Sequence, residues 1–125
     1  MNDTLEITQA LNNLGTDFRR IGALAEASEY HYNALDYAEE YSDSKTPAGM
    51  KNKVVSLNGI GNISLTLGYF DDAMLYFTAA LEDEKMLESK IGQAINYANI
   101  GSIYEQKGNY DSARIYYNHS LEVVS

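Results

Sequence analysis

The chain has 125 residues, of which 45% are hydrophobic, and this length and composition indicate a single folded domain with a hydrophobic core. A formal net charge of −9, with only nine basic residues, disfavours binding to nucleic acid, because contacts to a phosphate backbone need clustered Lys and Arg. The lack of cysteine excludes disulfides and thiolate metal sites, and no apolar run approaches the roughly 18 residues of a transmembrane helix.

A spacing of small residues occurs three times along the chain. Gly15, Gly61 and Gly101 each precede a second glycine by seven residues and an alanine by twelve. The steps between these three markers are 46 and 40 residues, which is the kind of period that indicates a helical repeat array. We therefore divide the chain into repeat 1 (residues 4–42), repeat 2 (residues 48–86) and repeat 3 (residues 88–124).

Repeat 1 is predicted to be a pair of helices. Its first helix is indicated by the helical spacing of Leu11, Leu14 and Phe18, and Asp3 is placed to cap its start. This helix is expected to end at Gly22, because glycine readily adopts the left-handed conformation that closes a helix.

The rest of the chain continues the same alternation of helix and turn. A second helix is predicted from Leu24 to Tyr41, followed by a loop from Ser42 to Pro47, since the residue before proline is pushed out of the helical region. Repeats 2 and 3 then each form a helix pair that breaks at Gly68 and Gly108, respectively. No alternating strand pattern competes with this interpretation.

The three marker glycines lie inside helices, where glycine costs roughly 1 kcal/mol relative to alanine. Close packing of the second helix of each pair would offset that cost. We expect the contact to be made by the alanine twelve residues later, namely Ala27, Ala73 and Ala113.

These positions resemble the tetratricopeptide repeat. That family places a small residue and an aromatic in the first helix, then an alanine, an aromatic and a small residue in the second. Repeat 3 matches throughout, whereas Ser64 and His31 replace one aromatic each in repeats 2 and 1; the matching residues of repeat 3 are Gly101, Tyr104, Ala113, Tyr117 and Ser120.

The resemblance implies an all-α fold, a right-handed α-α superhelix of three helix pairs made from six antiparallel helices. A step of about 40 residues exceeds the usual 34. In this it is similar to the longer variety found in kinesin light chain and in bacterial peptide-sensing regulators, sensor kinases and transcription regulators. The implied function is non-catalytic recognition of a protein or an extended peptide.

In this family the first helix of each repeat lines a concave groove, and carrying those positions over gives a candidate partner-binding set. Side-chain amides dominate it, and an amide both donates and accepts hydrogen bonds, as the backbone of an extended peptide requires. The alternative is that these are merely polar side chains on an exposed face. The candidate set is Asn12, Asn13, Thr16, Arg19, Arg20, Asn58, Asn62, Thr66, Asn99, Ser102, Glu105 and Gln106.

Other polar residues have structural explanations. Arg19 and Arg20 could bind a carboxylate of a partner, but arginine in a last helical turn more often opposes the helix dipole. Asp71 and Asp72 are expected at a helix start, and the acidic run 82–84 at a solvated helix end. His31 is assigned to the core and His119 lies a few residues from the chain end, so neither is expected to bind a metal. Because the sequence has no nucleophile elbow, phosphate loop or zinc spacing, we predict no catalytic residue, no metal site and no cofactor.

The last helix is expected to expose some of Ile115, Tyr116 and Val123. Such a face favours a homodimer or a continuation of the array, since repeat arrays usually end in a polar capping helix. The alternative function is therefore a structural, dimerising segment coupled to a signalling output domain, without its own ligand. We expect a fragment of a longer cytoplasmic protein, or of a periplasmic one if it comes from a membrane sensor.

Overall fold

The computed structural model describes residues 3–40 and 45–125. None of these residues lies in a strand, and each helix packs against its neighbour in sequence, which confirms the predicted all-α array of three helix pairs. The six helices are α1 (Asp3–Arg20), α2 (Leu24–Glu40), α3 (Pro47–Thr66), α4 (Phe70–Met86), α5 (Lys90–Gln106) and α6 (Tyr110–Val123).

The turns inside the repeats use glycine as predicted. Gly22, Gly68 and Gly108 have φ angles of 83°, 82° and 80°, a left-handed conformation that glycine adopts without steric cost. At each of these turns two backbone N–H groups donate to carbonyls near the helix end, so the last carbonyls keep their partners.

Pro47 lies in a helix rather than in the predicted loop. It occupies the first turn of α3, and the side chain of Thr46 caps the helix by accepting from the Gly49 N–H at 3.0 Å. Proline is well suited to this place because the first helical N–H groups have no partner in the helix. Residues 42–44 of the predicted loop and the predicted helix end at Tyr41 lie outside the described residues.

The core runs between the repeats. Phe77 is fully buried and clusters with Leu65, Leu81, Ile100 and Ile103, which join repeat 2 to repeat 3. A second apolar cluster joins repeats 1 and 2; its members include Leu35, Val54, Leu57, Tyr76 and Ala80.

The marker glycines make room for rings, not for the alanines that the sequence suggested. A Cβ atom on Gly61 would lie 2.6 Å from the Phe77 ring, and on Gly15 it would lie 2.7 Å from the His31 ring. On Gly101 it would meet Tyr117 at 2.9 Å. The residue that requires each glycine is therefore the one sixteen positions later on the second helix.

The acidic run 82–84 is solvated only at Glu82, so the prediction of a solvated helix end is wrong for the other two residues. Asp83 and Glu84 are buried, and Asp83 pairs with Lys53 of α3 at 3.5 Å. Glu84 packs against Gly92 at the start of α5, where burial raises the pKa of its carboxyl group. Glu84 therefore belongs to the joint between repeats 2 and 3, whereas Asp83 joins the two helices of repeat 2.

Candidate partner-binding groove

The first helices of the repeats, α1, α3 and α5, carry the predicted groove residues. Aligning the repeats on their marker glycines places Thr16, Asn62 and Ser102 at one register position, so they form a polar row across the three helices. All three are half-buried. One helical turn further on, a second row consists of exposed residues, Arg20, Thr66 and Gln106.

In α3 the polar side chains bond along their own helix. The Asn62 amide nitrogen donates to the Asn58 carbonyl at 2.8 Å, and the Thr66 hydroxyl donates to the Asn62 carbonyl at 3.0 Å. The side-chain oxygen of Asn58 is buried and accepts no hydrogen bond. Leaving such an acceptor unpaired costs about 1–3 kcal/mol.

Asn12 does not belong to the groove, and its predicted role there is wrong. The side chain is almost fully buried between α1, α2 and α3. Its amide nitrogen donates to the Asn52 carbonyl at 2.9 Å, while its oxygen accepts from the Ser56 hydroxyl at 2.8 Å and faces His31 Nδ1 at 3.0 Å. Asn12 therefore joins repeat 1 to repeat 2.

The polar residues of α5 are linked to Tyr117 of α6. The Tyr117 hydroxyl donates to Glu105 Oε1 at 2.8 Å and lies 3.2 Å from the Ser102 hydroxyl. Its pKa is raised by burial and by the nearby Glu105 carboxylate. Tyr117 matches an aromatic position of the repeat, and its hydroxyl takes part in this polar cluster on the candidate surface.

The other predicted residues lie on α1 and α5. Asn13, Arg19 and Arg20 are exposed on α1, and Asn99 is half-buried on α5. The guanidinium of Arg19 also helps to lower the pKa of the buried His31, after the larger effect of burial. The candidate surface is therefore basic at repeat 1, whereas repeat 3 presents Glu105 at the register position of Arg19.

A shallow depression lies apart from the polar rows, where the turn between α3 and α4 approaches Lys107. Asp71 and Asp72 line it and occupy the first turn of α4, where acids complement the helix dipole. Within residues 3–40 and 45–125, no group of three His, Asp or Glu side chains could hold a metal ion. Across the same residues, no helix has the length and apolar character needed to cross a membrane.

Comparisons of sequence place the chain in a family. A family model for the tetratricopeptide repeat matches residues 54–82 and 94–123, and a second model for the same repeat matches residues 7–44. The chain belongs to the tetratricopeptide repeat family. Domains of this family are generally non-catalytic scaffolds for protein interactions, so a protein partner is the expected ligand of this tetratricopeptide repeat domain. A search of curated proteins finds no match.

A solved structure supports the same fold. The N-terminal domain of stress-induced protein-1 (STI-1) from C. elegans matches with a TM-score of 0.76 and 13% sequence identity. The match covers 98% of this chain and 88% of that one. At this identity the likeness establishes the tetratricopeptide repeat fold and leaves the ligand to be inferred from this chain's own residues.

Sequence reasoning missed the polar joint around Asn12. Asn52 donates to the Thr8 hydroxyl at 3.2 Å, and Ser56 is fully buried beside them. One signal in the sequence was His31, which stands where the other repeats have an aromatic residue. A buried imidazole needs a polar partner, and Asn12 on the paired helix could have been considered for that role.

Proposed function

We propose that this tetratricopeptide repeat domain binds an extended segment of a partner protein along its first helices. The observation that carries the proposal is the unpaired Asn58 oxygen beside Asn62, in the middle repeat of the polar rows. Asn62 uses only one amide proton for a hydrogen bond within the helix, so its second proton and its oxygen are available to bond a peptide backbone. Because the Asn58 oxygen is buried, the proposal requires that its side chain rotate before the oxygen can accept from a peptide N–H.

The charges at the two ends of the rows give the bound segment a direction. Arg19 and Arg20 are exposed at repeat 1, whereas Glu105 is exposed at repeat 3. A segment with an acidic residue over α1 and a basic residue over α5 would pair with both ends. Charges at such a rim affect association and specificity more than affinity, so the amide contacts are expected to dominate the free energy of binding.

The test compares two pairs of asparagines on the same fold. Peptides of about ten residues are selected from a random display library on the unaltered chain, and their affinities are then measured by fluorescence anisotropy. Replacing Asn58 and Asn62 with alanine should weaken binding about tenfold or more, as expected for the loss of two hydrogen-bonding groups. The control replaces Asn33 and Asn118, which are exposed on the second helices, and should bind as the unaltered chain does.

Two results would refute the groove proposal. One is a selection that enriches no peptide on the unaltered chain. The other is equal weakening by both pairs of substitutions. Circular dichroism on each variant separates a loss of contacts from a loss of helical structure, because both pairs replace asparagine with a better helix former.

The alternative is a dimerising segment that serves a signalling output domain. Ile115 is exposed on α6 as predicted, while Tyr116 and Val123 are half-buried and Tyr116 stacks on Tyr104. Exposed apolar side chains alone do not select a second copy as their partner. Light scattering of the unaltered chain and of Tyr116→Glu tests the alternative, which requires a dimer that the substitution dissociates.

A further inference from the structure

Two tyrosines from different repeats share a hydrogen bond at the protein surface. Tyr32 of α2 and Tyr76 of α4 place their hydroxyl oxygens 3.0 Å apart, and their ring centroids lie 6.2 Å apart with the ring planes at 75°. Tyr32 is 41% exposed, whereas Tyr76 is half-buried against the apolar cluster that joins repeats 1 and 2. Neither tyrosine lies on a first helix, so the pair is separate from the candidate groove.

The two side chains are arranged as a dityrosine bond requires. That bond joins the ring carbons next to the two hydroxyls, so the hydroxyls lie side by side in the product as well. Because Tyr32 and Tyr76 already hold their hydroxyls together, a rotation of the rings about the hydroxyl pair brings those carbons into contact. Holding two reacting groups in such an arrangement strongly raises the rate at which they combine.

A second tyrosine pair shows the contrast. Tyr104 and Tyr116 have ring centroids only 5.5 Å apart, but their rings stack face to face at 14° and both belong to repeat 3. Tyr32 and Tyr76 are instead 44 residues apart in sequence and belong to different repeats. A bond between them would therefore constrain the joint between repeats 1 and 2.

The surroundings of Tyr32 keep its hydroxyl protonated until an oxidant acts on it. Burial, then the hydrogen bond to Tyr76 and then the nearby Asp72 carboxylate raise the pKa of Tyr32 to about 12. A neutral phenol is oxidised by losing an electron and a proton together. Asp72 lies one helical turn before Tyr76 on α4, so a carboxylate is close to the pair to accept that proton.

We propose that Tyr32 and Tyr76 are an oxidative cross-linking site, at which a peroxide-dependent one-electron oxidant joins repeats 1 and 2 by a dityrosine bond. The oxidant takes an electron from the exposed Tyr32, and the hydroxyl proton leaves to Asp72. The Tyr32 radical then takes a hydrogen atom from the Tyr76 hydroxyl across the hydrogen bond. A second oxidation returns Tyr32 to the radical state, so both rings are then radicals.

The radicals combine in a step that balances. A carbon–carbon bond forms between the ring positions beside the hydroxyls. Each joined carbon releases its hydrogen as a proton and each oxygen regains one, which restores both phenols. The pair has then lost two electrons and two protons in all, and one molecule of hydrogen peroxide takes them up to become two molecules of water.

Oxidation of the purified chain with a haem peroxidase and hydrogen peroxide tests the proposal. Dityrosine is measured by its blue fluorescence, and mass spectrometry of proteolytic fragments identifies the linked residues. The unaltered chain should form a link between Tyr32 and Tyr76 within one molecule, so its yield per chain should not fall on dilution. Tyr76→Phe keeps the ring and removes the hydroxyl, and it should lower the yield about tenfold or more.

A matched tyrosine separates the effect of geometry from that of exposure. Tyr69 is 57% exposed and precedes α4, so it is more accessible to an oxidant than Tyr32. Tyr69→Phe should nevertheless leave the yield of the cross-link unchanged. Circular dichroism of both variants shows whether either substitution has altered the helices.

The cross-linked chain should also show a tighter first joint. The amides of α1 and α2 should exchange about tenfold more slowly than in the untreated chain, because the new bond holds repeat 1 to repeat 2. Three outcomes would overturn the proposal. They are an equal yield from Tyr76→Phe, links that form mainly between molecules or between other tyrosines, and a cross-link that leaves the exchange of α1 and α2 unchanged.

Discussion

At the scale of single residues, His31 shows how this fold constrains a side chain. Its ring lies between the backbones of Gly15 and Gly59, where neither glycine could carry a Cβ atom. Because the Asn12 oxygen can only accept, His31 Nδ1 must donate to it, and the buried Nε2 is left without a partner. Protonation would add a second buried N–H and a charge without a counter-ion. Burial, followed by the nearby Arg19, accordingly lowers the pKa of His31 to about 4.

This residue makes stability depend on pH. The unfolded chain binds a proton at His31 below its ordinary pKa of 6.5, whereas the folded chain binds one only near pH 4. The contribution of His31 to stability is therefore present above about pH 6.5 and is lost as the pH falls from 6.5 towards 4. The loss should reach about 2 kcal/mol at pH 5, as measured by urea unfolding at pH 7 and pH 5.

The control for this prediction is His31→Phe, which places in repeat 1 the residue that repeat 2 has at Phe77. Its remaining pH dependence reports the other titratable groups, including Glu84, whose raised pKa acts in the opposite direction. The unaltered chain should lose more stability than His31→Phe between pH 7 and pH 5. Equal losses would show that His31 is not the titrating group.

At the scale of secondary-structure elements, four helices end in one hydrogen-bonding pattern. After α1, α3 and α5 the left-handed position is a glycine, but after α4 it is Glu88, with a φ angle of 55°. The backbone bonds are the same, since Glu88 N–H donates to the Lys85 carbonyl and Ser89 N–H to the Glu84 carbonyl. A residue with a side chain is thus held in a conformation that costs it free energy.

Glu88→Gly should therefore stabilise the domain. The left-handed conformation costs an ordinary residue roughly 1 kcal/mol more than glycine, so we expect a gain of about 0.5–1 kcal/mol. Urea unfolding measures the change. The reciprocal substitution, Gly108→Ala, puts a side chain at a φ angle of 80° in open space and should destabilise by a similar amount. A loss of stability in Glu88→Gly would contradict this explanation.

At the scale of the whole molecule, the two joints between repeats differ in chemistry. Repeats 2 and 3 meet mainly through the apolar residues Phe77, Leu81, Ile100 and Ile103, with the buried Glu84 beside the start of α5. Repeats 1 and 2 meet through a smaller apolar cluster and the buried polar network around Asn12. The buried face of α2 is otherwise built from small residues, namely Ala27, Ala34 and Ala38. Repeat 1 therefore buries less apolar surface than repeat 2.

Repeat arrays unfold in units whose stability depends on their neighbours, so this difference should appear in hydrogen exchange. The amides of α3, α4 and α5 should exchange most slowly. Those of α1 and α2 should exchange about tenfold faster, which corresponds to roughly 1.4 kcal/mol of local stability. Mass spectrometry of peptide fragments measures the protection of each helix. Uniform protection would contradict the proposed weakness of the first joint.

The sequence by itself determined the fold and its periodicity. Gly22, Gly68 and Gly108 marked the turns, because only a residue without a side chain takes that backbone conformation freely. Gly61 likewise marked a close approach of the paired helix, although the structure shows that Phe77 rather than Ala73 makes the contact. Features of this kind depend only on residues within one repeat, so they can be predicted from a single sequence.

Only the tertiary structure decided which polar residues face solvent. Asn12 lies on the same helix face as the groove residues in a one-helix projection, yet α3 covers it and supplies Asn52 and Ser56 as partners. Glu84 belongs to an acidic run that was predicted to be solvated, but α5 packs over it and buries it. Glu105 and Leu65 share a register position, but only Leu65 is buried, because α5 packs over it. Burial depends on what the neighbouring repeat places opposite a residue, and spacing within one repeat does not specify that.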